Sequence, residues 1–186
     1  MKSITMKSFI TTAIFACFSF FSVHASGNRV VSGPDGNALI QTGNVQTSPL
    51  AQVLNLYYGV KDALVNSDAA AAAAKAGELL KAITAIDAKS LPATDQMTFA
   101  ALQDKLAFDA RHISESKAIE HQREHFTNLS TNVYTLAKSV KLSNQPVYRD
   151  YCPMKKAYWL SSDVAIKNPY FGNQMLTCGK VSDTIK

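Results

Sequence analysis

Four successive segments of the chain place apolar side chains at helical spacing. In the first, Ser48 offers an N-cap and Pro49 stands at a first helical position, where the missing N–H costs nothing. Leu50, Val53, Leu54, Tyr57, Lys61 and Leu64 then share one face, the aliphatic stem of Lys61 covering apolar surface like its neighbours. In the second, Ser67 or Asp68 caps an alanine tract from Ala69 to Ala74 that runs on through Leu79, Leu80, Ile83 and Ile86, and the small side chains let another helix approach closely. Ser90-Leu91-Pro92 breaks that pattern. A third helix runs from near Asp95 with Phe99, Leu102, Leu106 and Ile113 along one side. The fourth, from about Lys117 to Val140, repeats Ile119, Gln122, Phe126, Leu129, Val133, Leu136 and Val140 in steps of three and four, the inner seam of a helix bundle. Short connections favour neighbours that run up and down, so the pattern predicts a mainly α chain built as an up-and-down four-helix bundle.

Beyond Leu142 the texture changes. Pro146, Pro153, Pro169, Gly172 and Gly179 interrupt every period, while Tyr148, Tyr151, Tyr158, Trp159, Tyr170 and Phe171 supply large apolar area. The expectation is an irregular, aromatic-rich C-terminal cap from about residue 143, with a short strand at Pro146 to Tyr151 and a turn or two of helix near Ser162.

Upstream of the helices the pattern has a different meaning. Lys2 and Lys7 precede an apolar run from Phe9 through Val23, and Val23-His24-Ala25 presents tolerated side chains for a signal peptidase, so residues 1–25 read as a cleavable signal peptide with a mature start at Ser26. The run is about 15 residues against the roughly 20 that a spanning helix wants, which predicts no stable membrane span after cleavage. Residues 26–47, rich in Gly, Asn, Ser, Thr and Gln around Gly33-Pro34-Asp35-Gly36, read as a flexible leader, and residues 48–186 as one domain. The chain is therefore expected to be exported, with the periplasm as its compartment.

Removing the signal leaves about 160 of the 186 residues, the usual size of one domain. The formal charge of +5 falls to about +3 as Lys2 and Lys7 leave, and the remaining basic residues are scattered rather than lined along one face, which argues against a nucleic-acid partner. Cys17 leaves as well. Cys152 and Cys178 are the pair that remains, and in an oxidising compartment an even count points to a disulfide, which across a loop of about 25 residues would stabilise the fold by roughly 3 kcal/mol.

The same cysteines have a second reading. Cys152-Pro153-Met154 and Met175-Leu176-Thr177-Cys178 place thiol and thioether sulfurs in two short runs, and soft sulfur ligands select soft cations such as Cu(I) or Ag(I) over Mg or Ca. A separate pair, His121 and His125, sits at i and i+4 on the fourth helix, so both imidazoles share a face, with His125 beside the apolar seam and His121 nearer solvent. The run His121-Gln122-Arg123-Glu124-His125 lacks the His-Glu opening of a zinc-protease helix. No nucleophile elbow, glycine-rich phosphate loop or paired-carboxylate pocket is recognisable, and a non-enzymatic protein is expected.

Several of these runs occur together in a recognisable way: Gln122-Arg123-Glu124-His125-Phe126 with Leu129-Ser130, Tyr151-Cys152-Pro153-Met154, Ala157-Tyr158-Trp159-Leu160-Ser161, Asn168-Pro169-Tyr170-Phe171-Gly172 and Met175-Leu176-Thr177-Cys178-Gly179. The chain in this respect resembles an uncharacterised bacterial exported domain family over about Leu50 to Val181. That domain also occurs appended to periplasmic adaptor subunits of copper- and silver-type heavy-metal efflux pumps. The resemblance implies heavy-metal handling with an efflux adaptor as partner, and it makes Cys152, Met154, Met175, Cys178, His121 and His125 the candidate metal-site residues. A helical interaction module with a structural Cys152–Cys178 disulfide and no metal is the competing expectation.

Overall fold

The computed structural model describes residues 48–186; the signal peptide read at 1–25 and the leader read at 26–47 lie outside the described residues. Four helices come first: α1 (Pro49–Val65), α2 (Ala69–Ala85), α3 (Ala93–Glu115) and α4 (Ile119–Ser139). Each packs most extensively on its neighbour in sequence. Every apolar position expected on the inner face of α1 and α3 is buried, and Lys61 is buried with them, its Nζ 2.6 Å from the Asp62 carboxylate at the surface. On α2 the alanine tract behaves as expected: Ala72 and Ala76 are fully buried between α2 and its neighbours.

Helix ends follow from local chemistry. Ser48 caps α1 through its backbone carbonyl, which accepts from Gln52 N at 3.0 Å, and its hydroxyl makes no capping bond. Asp68 caps α2 as expected, its Oδ1 accepting from Ala71 N at 2.9 Å. Between α2 and α3, Gln103 Nε2 donates to the Ile83 and Ile86 carbonyls at 3.0 and 2.9 Å, adding a donor to acceptors at the end of α2, where Ile83 O also takes Ile86 N at 3.4 Å.

Where an irregular cap is expected, the chain instead forms a three-stranded antiparallel sheet. Strand β1 (Val147–Cys152) is central, flanked by β2 (Ala157–Ser161) and β3 (Lys180–Ile185). The expected strand at Pro146 to Tyr151 is present one residue later. Tyr151 pairs with Tyr158 on one side and with Lys180 on the other, and the register to β3 shifts between Arg149 and Asp150. Residues near Ser162 form bends rather than helix, because the Ser161 hydroxyl turns back to the Asp163 carbonyl at 2.8 Å; the helical turn lies at Gly172–Gln174.

The sheet and the helices share one apolar core. Tyr57 of α1, fully buried, stacks on Phe126 of α4 at 5.2 Å, and its hydroxyl bonds Ser130 Oγ at 2.8 Å while accepting from Leu160 N of β2 at 2.9 Å. Arg149 of β1 lies between the rings of Tyr134 on α4 and Tyr158 on β2, 3.8 Å from each centroid. Behind the sheet, the segment from Asn168 to Gly172 is tied to everything around it. Asn168 Oδ1 accepts from Tyr170 N at 2.9 Å, Arg123 Nε of α4 donates to the Pro169 carbonyl at 2.9 Å, and Gly172 sits at φ +55° against the α1–α2 turn. A Cβ on Gly172 would lie 2.3 Å from Ser67 Oγ, so both the dihedral and the space require glycine. Among the described residues, no helix is long and apolar enough to cross a membrane.

Candidate metal centre

The last turn of α3 and the first turn of α4 are held together by one side chain. Gln122, fully buried in what reads as the apolar seam of α4, donates through Nε2 to the Ile113 and Ser116 carbonyls at 3.2 and 2.9 Å and to the Ala69 carbonyl at 2.9 Å. It closes carbonyls at the end of α3 and fixes the start of α4 against them. The connection between the helices is only Ser116-Lys117-Ala118. Side chains one turn back on α3 and one turn forward on α4 therefore face each other.

Three histidines meet at that place. His112 comes from α3, His121 and His125 from α4, and their ligand nitrogens all lie within 4.8 Å of one another. The rings of His112 and His125 stack at 4.3 Å and those of His121 and His125 meet edge-on at 4.7 Å. A tetrahedral ion with bonds near 2.0–2.1 Å holds its ligand nitrogens about 3.3 Å apart, so small side-chain rotations suffice to close the group on a metal. His125 is the inner member, with 16 % of its side chain exposed, and His121 the outer, with 45 %, in the order that the helical count predicts.

The inner histidine has an orienting partner. Asp109 Oδ1, one turn before His112 on α3, lies 3.0 Å from His125 Nδ1. When Asp109 is ionised it only accepts, so the proton sits on Nδ1 and Nε2 is free to bind an ion, the arrangement by which carboxylates fix metal-binding imidazoles. Burial raises the Asp109 carboxyl above its ordinary range, and the hydrogen bond and charge of His125 pull it back. Phe108 packs against His112 at 4.4 Å and His125 at 5.8 Å, giving the cluster one apolar wall.

The sulfur residues form a different neighbourhood. Cys152 ends β1, fully buried, and Cys178 precedes β3, half-buried; both are free thiols. Asn168 Nδ2 joins them, donating to Cys152 Sγ at 3.2 Å and to the Cys178 carbonyl at 2.7 Å. Burial raises the Cys178 thiol above its ordinary range, and the neighbouring Cys152 raises it further. Met154 lies in the β1–β2 turn with 63 % of its surface exposed, and the Met175 carbonyl accepts from Cys178 N at 3.0 Å. The six candidates thus do not form one group: among the described residues the cluster of three or more His, Cys, Asp or Glu ligand atoms is the histidine triad, and no cysteine joins it.

His112 and Asp109 are the members that the sequence reading misses. Their signal is present in hindsight of the hairpin: Asp109 and His112 stand at i and i+3, in the turns of α3 that precede a three-residue link to the paired histidines of α4.

A family described as Protein of unknown function (DUF3347) matches residues 53–145, half of the 186-residue chain. No curated protein and no solved structure matches. The match supports the expectation of an uncharacterised domain family. It spans Asp109, His112, His121 and His125 and ends before β1, so Cys152, Met154, Met175 and Cys178 lie beyond it.

Proposed function

The chain belongs to the DUF3347 family of proteins of unknown function, so membership brings no activity with it, and we propose from the residues themselves that this is a metal-handling module binding a transition-metal ion through His112, His121 and His125. The observation that carries the reading is the arrival of His112 from a second helix at a pair already spaced for a shared ion, with Asp109 orienting the buried member. Imidazole suits copper and zinc better than the hard cations. Three protein ligands leave one coordination position open, and an open position permits the ion to pass to another ligand set by exchange.

The wider expectation is part of the same proposal: an exported, periplasmic, non-enzymatic protein that buffers copper or a similar soft ion and passes it to an efflux adaptor. It draws support from the resemblance in the C-terminal motifs and from the triad. An up-and-down course of the four helices also belongs to it, supported by the packing of successive helices and the short links between them.

The test is titration of the mature protein with Zn(II), Cu(II) and buffered Cu(I), in wild type and in His112→Ala. One ion per chain is expected at the triad, with affinity reduced by at least about 100-fold in the variant. Wild-type affinity for Zn(II) in His112→Ala overturns the reading. The competing interaction module stapled by Cys152 and Cys178 has the adjacency of the two cysteines in its favour. Counting thiols on protein unfolded without reductant tests the staple, which leaves none free, while the triad is tested by the titration.

A further inference from the structure

We propose that Cys152 and Cys178 form a second metal site, independent of the histidine triad, that takes a soft monovalent cation of the Cu(I) class as a bis-thiolate. The register of the sheet brings the two together. Tyr151 pairs with Lys180, so the residues that follow Tyr151 and precede Lys180 continue side by side, and Gly179 has room for no Cβ because the Tyr151 carbonyl and Trp159 ring would lie 3.1 and 2.8 Å from it. Asn168 Nδ2 then spans the two, 3.2 Å from Cys152 Sγ and 2.7 Å from the Cys178 carbonyl.

The surroundings of Cys152 suit thiolate sulfur. Cys152 Sγ accepts two N–H donors, Asn168 Nδ2 at 3.2 Å and the backbone N of Lys155 at 3.4 Å. Donors aimed at sulfur stabilise its anionic, metal-bound form, and a backbone N–H three residues after a cysteine is supplied here by the β1–β2 turn, whose Lys156 stands at φ +56°. Asn168 serves both halves: it holds Cys152 Sγ and the Cys178 carbonyl at once, and its own Oδ1 is fixed by Tyr170 N. Cys152 is sealed from solvent and Cys178 is not, which gives the ion one side of entry.

Two sulfurs with no third ligand from His, Asp or Glu among the described residues fit an ion that accepts two-coordinate soft ligation, and do not satisfy Zn(II), which takes four. Binding is ligand exchange without electron transfer. Two S–Cu bonds form, the two thiol protons leave to solvent, and copper stays Cu(I) throughout.

The proposal does not rest on the triad, and the experiment keeps the two apart. Mature protein with His112→Ala and His121→Ala, which keeps the His125–Asp109 pair intact, is reduced with a non-coordinating phosphine and titrated anaerobically with Cu(I) held by a chromogenic chelator. One equivalent is expected to bind, with thiolate-to-copper charge-transfer absorption, and to be lost when Cys178→Ser is added. As a check that needs no cysteine variant, one equivalent of Cu(I) should protect Cys178, the accessible thiol, from alkylation in the double-histidine protein. Absence of binding in that protein, binding that survives Cys178→Ser, or full alkylation in the presence of Cu(I) overturns the proposal. Failure of the triad alone would leave this equivalent in place while removing the one lost in His112→Ala.

Discussion

Replacing Asp150 with asparagine is expected to stabilise the protein at pH 8 and to change little at pH 4. Asp150 lies in the middle of central strand β1, paired with Trp159 and Val181, fully buried, with neither carboxylate oxygen hydrogen-bonded. Burial pushes its carboxyl from an ordinary 3.8 up to about 7, against the pull of Lys61 and with the push of Asp163. Below the unfolded value the group is protonated in both states and its stabilising contribution is complete. As pH rises from there towards about 7, the folded state keeps a proton that the unfolded chain has released, and stability falls by about 1.4 kcal/mol per pH unit. Above the folded value the loss levels off at about 4 kcal/mol, a large share of the roughly 5–15 kcal/mol that holds a domain together. Asparagine has the same shape and no charge; its amide still lacks partners, which makes that figure an upper bound, and Lys61 retains Asp62 at 2.6 Å. Urea unfolding of both proteins from pH 4 to pH 8 measures the effect. The two stability curves should diverge as pH rises, with the variant above. Parallel curves, or a variant that is less stable at pH 8, would refute a buried carboxylate held near neutrality by desolvation.

Other substitutions test separate parts of the account. Gly172→Ala should destabilise by about 3 kcal/mol, from a left-handed dihedral and a clash with Ser67 Oγ, whereas Gly77→Ala, whose new Cβ would meet Ser114 Cβ at 4.0 Å, should stabilise α2 by about 0.5–1 kcal/mol; thermal melts of the pair compare them directly. Asp109→Asn should weaken metal binding by about 10- to 100-fold without abolishing it, read by competition titration, because the ligands remain while the orienting carboxylate is lost. Arg149→Lys should cost about 1 kcal/mol in denaturant unfolding, since an ammonium cannot stack flat between Tyr134 and Tyr158.

What the chain discloses at first reading depends on how local the determining physics is. The helices are legible because each carries its own apolar stripe, and even the odd member Lys61 falls where its stem predicts. The sheet is not, because β3 reads Lys-Val-Ser-Asp-Thr-Ile with its first half exposed and shows no alternation until it is paired with β1. Gln122 occupies a seam position for a reason that apolar counting does not contain: it caps the end of α3. That hydrogen bonding is also what brings His112 to His121 and His125, so the third histidine is visible only once the hairpin is built. The cysteines and the motifs around Asn168 stand out in the sequence, but their adjacency arises from strand register and from the bonds that Asn168 makes to both.

The central claim is that the α3–α4 hairpin assembles a metal centre from His112, His121 and His125. Anomalous diffraction from crystals of the protein grown with Zn(II) or Cu(II) tests it most directly. The account predicts a peak about 2.0–2.1 Å from one nitrogen of each of the three imidazoles, with His125 bound through Nε2 and Asp109 still on its Nδ1. A fully loaded crystal whose peak lies away from the three rings, or is bound by His121 and His125 without His112, would contradict it.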